Sequence, residues 1–186
     1  MENSNISLIK HRTTQHLIPT NQFTGVNMST TKEQAIHFRD NSIVPALDFI
    51  GLNSDAAVEL LLGTALQESR LLYRKQLRGG PARGFFQMEP ATHDDIWNNY
   101  LRYHKTLAAS VIGLLDSPKD NKYTALENND QYAAAMARIH YKRAPEALPA
   151  SGDIAEIANY WKKYYNTPMG AGTPSEFEAN WRAVMG

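Results

Sequence analysis

Cysteine is absent from the 186 residues. Its absence excludes disulfides, thiolate metal sites and a thiol nucleophile. It leaves the compartment open, because reducing and oxidising environments both accept such a chain. An excess of either charge is also missing: Lys plus Arg and Asp plus Glu both number 19. Nucleic-acid binders carry a basic excess, so no nucleic-acid partner is expected. No run approaches the ~20 apolar residues of a membrane span, and none is expected. Residues 1–21 are polar and lack the apolar segment of about 7–15 residues that a secretory signal needs, so no signal peptide is expected. The histidines form no His-Glu-x-x-His pair, and His93-Asp94-Asp95 is the nearest approach to a ligand cluster. No metal and no cofactor are expected. There is no Gly-x-Ser-x-Gly elbow, P-loop or dinucleotide fingerprint.

What the chain does have is a series of helix starts. Its length suits one domain with a short tail, and a domain of that size buries a core without staples. Residues 1–29 mix Asn, Ser, Thr and Gln and are expected to form a polar arm or linker, with the domain in 30–186. Thr30 with Glu33 has capping-box spacing, and the helix it opens should kink or break at Pro45. Ser54 can cap a second helix to about Tyr73. Thr92 with Asp95 can open a third, carrying Ile96 and Tyr100. Leu107, Val111, Leu114 and Leu115 mark a fourth, ending in a turn at 117–121. Asn129 or Asp130 caps a fifth, through Tyr132, Met136 and Ile139 to about Arg143. Asp153 with Glu156 begins a sixth, with Ile157, Trp161 and Tyr164. Thr173, Pro174 and Glu176 make the clearest start, followed by Phe177, Trp181 and Val184 at helical spacing. Residues 76–90 hold Gly79-Gly80-Pro81 and Gly84 and suit a loop with a short extended segment. The expected class is mainly α, with about seven helices and room for one small β-hairpin.

Glu68 is the leading candidate for chemistry. On the second helix it shares a face with Leu61, Thr64, Ala65, Leu71 and Leu72. Desolvation there would raise its pKa and keep it protonated nearer neutrality, as a glycosidase acid requires. On periodicity alone, a solvent-facing Glu near a helix C-terminus is the better fit.

The neighbourhood adds to this. Gln67-Glu68-Ser69 is followed by Ala82-Arg83-Gly84-Phe85-Phe86-Gln87 and then by Pro90-Ala91-Thr92. In order and spacing these segments resemble the soluble lytic transglycosylases, a branch of the lysozyme-like superfamily. The resemblance covers about 60–97. It implies a lysozyme-like fold, with Glu68 as general acid and base in cleaving the β-1,4 bond between N-acetylmuramic acid and N-acetylglucosamine. The product would be a 1,6-anhydromuropeptide, and no cofactor is implied. It also implies that Ser69 orients or hydrogen-bonds the Glu68 carboxyl and that Gln87 lines the cleft and contacts a sugar. Tyr165 and Asn166 stand where relatives carry a Tyr-Asn pair at the cleft wall. Ala133, Ala134 and Ala135 stand where relatives carry a Gly that lets helices approach. The implied partner is the peptidoglycan glycan strand. The polar arm and the lack of a signal suggest a bacteriophage protein, in the virion with other virion proteins or in the host as a lysis enzyme. The alternatives are a lysozyme-type hydrolase at the same bond and a non-catalytic lysozyme-like virion module.

Other residues compete for roles. Glu89, Asp94 and Asp95 are each a possible second carboxylate, although Asp94 and Asp95 also suit the first turn of a helix. Phe85, Phe86 and Met88 read as packing, and Gly84 as a residue needed for backbone freedom. Arg70, Arg74, Lys75, Arg78 and Arg83 lie in a stretch free of Asp and Glu and would give the cleft a local positive field.

Overall fold

The computed structural model describes residues 29–167 and 170–186; of the expected arm at 1–29, all but Ser29 lies outside the described residues. The described part is mainly helical: α1 Lys32–Phe38, α2 Val44–Phe49, α3 Asp55–Ser69, α4 Pro90–Asn99, α5 Lys105–Gly113, α6 Lys122–Asn128, α7 Asp130–Lys142, α8 Ile154–Trp161 and α9 Pro174–Met185. No strand forms among the described residues. Between α3 and α4 the chain makes two isolated antiparallel bridges, Lys75 with Arg83 and Arg83 with Met88. The expected hairpin is reduced to these.

Side-chain caps set most helix starts. Ser54 accepts from Ala57 N at 3.2 Å to open α3, and Asn129 accepts from Tyr132 N at 2.9 Å to open α7. Asp153 caps α8, and the Thr173–Glu176 capping box opens α9 behind Pro174. The first capping box is Thr31 with Gln34, one residue beyond the expected pair. Thr30 is withdrawn from capping because its hydroxyl donates to the Arg70 carbonyl.

Pro45 does not break the helix. A π-helical turn, Arg39–Ile43, carries α1 directly into α2, which takes Pro45 in its first turn. Proline has no N–H for the carbonyl of Asn41, four residues back. The Gln131 amide donates to that carbonyl instead, at 3.2 Å.

Three further boundaries differ from expectation. Helix α3 stops at Ser69, short of Tyr73, because Arg70 and Leu71 turn left-handed with φ of 51° and 50°. Helix α4 starts at Pro90 rather than behind Thr92, since proline's fixed φ suits the first helical position. The turn at 117–121 also begins a helix that was not expected: Asn121 accepts from Tyr123 N and Thr124 N and opens α6.

Helix α7 runs through the middle. Ala133, Ala134, Ala137 and Tyr141 join a core with Leu60, Leu61, Phe86, Trp161 and Phe177. Tyr132, Ala135, Met136 and Ile139 join a second core with Ile96, Leu101, Val111 and Leu126. Both flanks of α7 are buried because its alanines let neighbours approach, as the three small residues at 133–135 led us to expect. No helix among the described residues is long and apolar enough to cross a membrane.

Candidate active site

Glu68 is the next-to-last residue of α3, with Leu61, Thr64 and Ala65 fully buried on the preceding turns. Leu71 and Leu72 do not extend that face, because the helix has already ended. The Trp161 indole Nε1 donates to Glu68 Oε1 at 3.0 Å. Burial pushes the Glu68 carboxyl up to about 7, with the Trp161 hydrogen bond pulling partly the other way. Two phenols adjoin it. Burial raises Tyr141 and Tyr165 well above the usual phenol range, and the Glu68 charge adds to both. Each phenol is hydrogen-bonded: Tyr141 OH pairs with Thr64 Oγ1 at 2.7 Å, and Tyr165 OH donates to Phe86 O at 2.7 Å.

One side of Glu68 opens to a cavity of about 420 Å³ lined by Glu68, Tyr73, Gln76, Leu77, Ala82, Gln87 and Glu89. Glu68 and Gln87, joined in the sequence only by the motif, therefore meet in one cleft. Gln87 Nε2 donates to Gly84 O at 2.7 Å and Tyr73 O at 3.3 Å, so the amide nitrogen braces the turn that carries it. Gly84 makes that turn feasible. Its φ is +69°, and a Cβ there would lie 2.1 Å from the Leu126 carbonyl oxygen on α6.

Phe86 and Met88 are buried, and Phe85 lies edge-on to Phe38 at 5.4 Å, which fits their reading as packing residues.

Ser69 does not hydrogen-bond Glu68. Adjacent helical residues point to different sides. The Ser69 hydroxyl lies 3.0 Å from Ala65 O and 2.7 Å from Phe85 O, and accepts from Leu71 N at 3.2 Å. It fastens the end of α3 to the Gly84–Phe85 turn. Tyr165 does adjoin Glu68, but its hydroxyl is spent on Phe86. Asn166 does not line the cavity. Its Oδ1 accepts from Lys162 Nζ at 2.7 Å, and Lys162 also donates to Gly170 O at 2.6 Å.

Among the acidic candidates, only Glu89 shares the cavity with Glu68. Asp94 and Asp95 lie beyond the first turn of α4, contrary to expectation, because Pro90 moves the start of the helix forward. Asp94 accepts from Tyr123 OH at 2.6 Å and pairs with His93 Nδ1 at 3.0 Å, and these bonds hold it below the usual carboxylate range. Asn99 and Arg143 do the same for Asp95. His93 is thus part of a packed network with Asp94, Tyr132 and Trp97. Among the described residues no three His, Asp or Glu side chains converge as a metal site would need.

Three of the five cations of the expected positive field face two carboxylates; Arg70 and Arg78 form no ion pair among the described residues. Arg74 makes a two-pronged pair with Asp130 at 2.6 and 2.9 Å, donates to Glu127 O at 3.0 Å and lies 4.0 Å from the Phe85 ring centre. Glu127 lies 3.3 Å from Lys75 and 3.6 Å from Arg83. These carboxylates come from α6 and the start of α7, far away in sequence. Trp161 and Tyr141 were missed as site residues for a related reason. Each lies within an expected helix, and no local pattern marks a contact such as that of Trp161 with Glu68, 93 residues away.

No protein-family model, curated protein or solved structure matches the chain.

Proposed function

We propose that the chain cleaves the β-1,4 bond between N-acetylmuramic acid and N-acetylglucosamine in peptidoglycan strands, with Glu68 as the proton donor on a lysozyme-like helical fold. One observation carries this reading. A carboxyl group raised to about 7 sits at the wall of an open cleft, not sealed within the core. Neither a cation nor a capping backbone N–H holds this carboxyl among the described residues. It faces an indole N–H, and that donor is neutral.

The chemistry follows from the arrangement. Oε1 accepts from Trp161, which leaves Oε2 to carry the acidic proton. That proton passes to the glycosidic oxygen as the bond to C1 breaks, releasing the 4-hydroxyl of N-acetylglucosamine. The Glu68 carboxylate then takes the proton of the muramic acid 6-hydroxyl as that oxygen attacks C1. The product is a 1,6-anhydro ring, no water is consumed, and Glu68 ends protonated. The internal nucleophile is already positioned by the substrate itself.

A second reading has its own support. Glu89 is exposed on the same cavity and could activate a water, which would make the enzyme a hydrolase of the same bond. Digestion of purified cell walls decides between them. Anhydromuropeptides, lighter by one water, support the first reading, and reducing muramic ends support the second. Glu68→Gln should abolish lysis in either case. Lysis at the parental rate would remove Glu68 from the reaction, and a parent that binds walls without cutting them would be a glycan-binding module.

A further inference from the structure

Five large apolar or aromatic side chains are markedly exposed among the described residues, and two of them, Tyr73 at 43% and Leu77 at 63%, line the cavity that holds Glu68. A single exposed leucine means little. Two such side chains in a cleft whose other linings include Glu68, Gln87 and Glu89 give that cleft apolar surface beside polar groups.

The wall is held in place. Gly84 N donates to Arg74 O at 2.8 Å and Gln76 N to Ala82 O at 3.2 Å, so residues 74–76 are fastened to 82–84. Gln87 Nε2 reaches Tyr73 O from the cleft turn. Arg74, between them, is drawn away to Asp130 and lies over Phe85. Its neighbour Tyr73 lines the cleft. The apolar side chains therefore meet a ligand on a backbone that needs little further ordering.

A β-1,4-linked N-acetylhexosamine has the matching shape. Its ring substituents are equatorial, so each sugar presents a rim of hydroxyl and amide groups and two faces of C–H bonds. Aromatic and aliphatic surfaces take such faces, while hydrogen-bonding groups take the rim. We propose that Tyr73 and Leu77 form a stacking wall for one face of a β-1,4-linked N-acetylhexosamine next to the bond presented to Glu68. This inference rests on the glycan-cleaving reading and names the residues that hold the sugar.

The test is calorimetric titration of the β-1,4-linked tetramer of N-acetylglucosamine into Glu68→Gln, which keeps the wall and removes turnover. Adding Tyr73→Ala and Leu77→Ala together should weaken binding about tenfold or more. Tyr73→Trp, alone with Glu68→Gln, should bind at least as tightly as Glu68→Gln itself. Both side chains are exposed, so the substitutions leave the core intact. Binding within about twofold after both alanine substitutions would overturn the proposal, and so would a tetramer that fails to bind Glu68→Gln at millimolar concentration. The two readings fail separately. Full lysis by Glu68→Gln would sink the catalytic assignment while the titration still reported on the wall.

Discussion

The Trp161 indole N–H reaches Glu68 Oε1 at 3.0 Å, joining the end of α8 to the end of α3. Trp161 is fully buried, and its ring lies 5.4 Å from that of Phe177, so the donor has little freedom to move. Other polar groups near the carboxyl are Tyr141 from α7, Tyr165 after α8, and Gln76, Gln87 and Glu89, which line the same cavity. The indole therefore holds Oε1 and leaves Oε2 free of that donor. Trp161→Phe keeps the ring and deletes the donor. Because this bond favours the charged form, its loss raises the Glu68 pKa further. Lysis should fall at least about tenfold from lost positioning, and its decline with rising pH should move to higher pH. A profile of lysis rate against pH checks both. An unmoved profile would make Trp161 a packing residue only.

On the proposed reading, lysis by the parent should fall as pH rises through about 7, where Glu68 gives up its proton. Stability follows the same group. Its folded pKa lies above the reference value of 4.5, so its contribution is complete below about 4.5 and is lost as pH rises through about 7. Glu68→Gln should thus be more stable than the parent at pH 8, by at most about 3 kcal/mol, and nearly equal to it at pH 4. Urea denaturation at the two pH values tests this. A difference that does not change with pH would contradict the burial argument.

Glu89→Gln separates the two reaction types. If the muramic acid 6-hydroxyl is the nucleophile, the variant should keep the anhydro product at a rate within a few-fold of the parent. A loss of about 10²-fold or more, from a parent that releases reducing ends, would identify Glu89 as the base that activates water.

Arg74→Ala should act on the fold, not on wall attraction. It removes a partly exposed pair with Asp130 and a contact with Phe85, so a loss of about 1–2 kcal/mol is expected. The salt dependence of lysis should stay that of the parent. A flattened salt dependence would restore Arg74 to the substrate field.

Gly84→Ala should destabilise by about 2 kcal/mol or more, since alanine there meets both a positive φ and the Leu126 carbonyl. Thermal unfolding measures it, and a melting temperature equal to the parent's would show that the turn can relax.

How much of this was legible depended on how local each cause was. Caps at Ser54, Asn129, Asp153 and Thr173 involve partners within three residues and could be read directly. The apolar turns before Glu68 followed from helical period. The early stop of α3 could not be read, because it rests on left-handed Arg70 and Leu71, which no side-chain rule favours. The role of Ser69 was misplaced because a motif orders residues along the chain without saying which side of a helix each occupies. The partial pairing of the basic cluster could not be read either, because its carboxylates, Glu127 and Asp130, arrive from α6 and α7. Trp161 was placed on a helix from the sequence; its burial and its hydrogen bond to Glu68 were visible only in three dimensions.

Helix α7 belongs to both cores, so the helices described should unfold as one cooperative unit. A defect beside Met136 or Ile139, on the flank of the second core, shifts the same helix whose other flank carries Tyr141 against the Glu68 neighbourhood. Neither half can melt and leave the other a complete partner surface. Unfolding followed by tryptophan fluorescence and by helix content should therefore trace one coincident transition. The reactive carboxyl would then retain its proton affinity until the whole domain gives way.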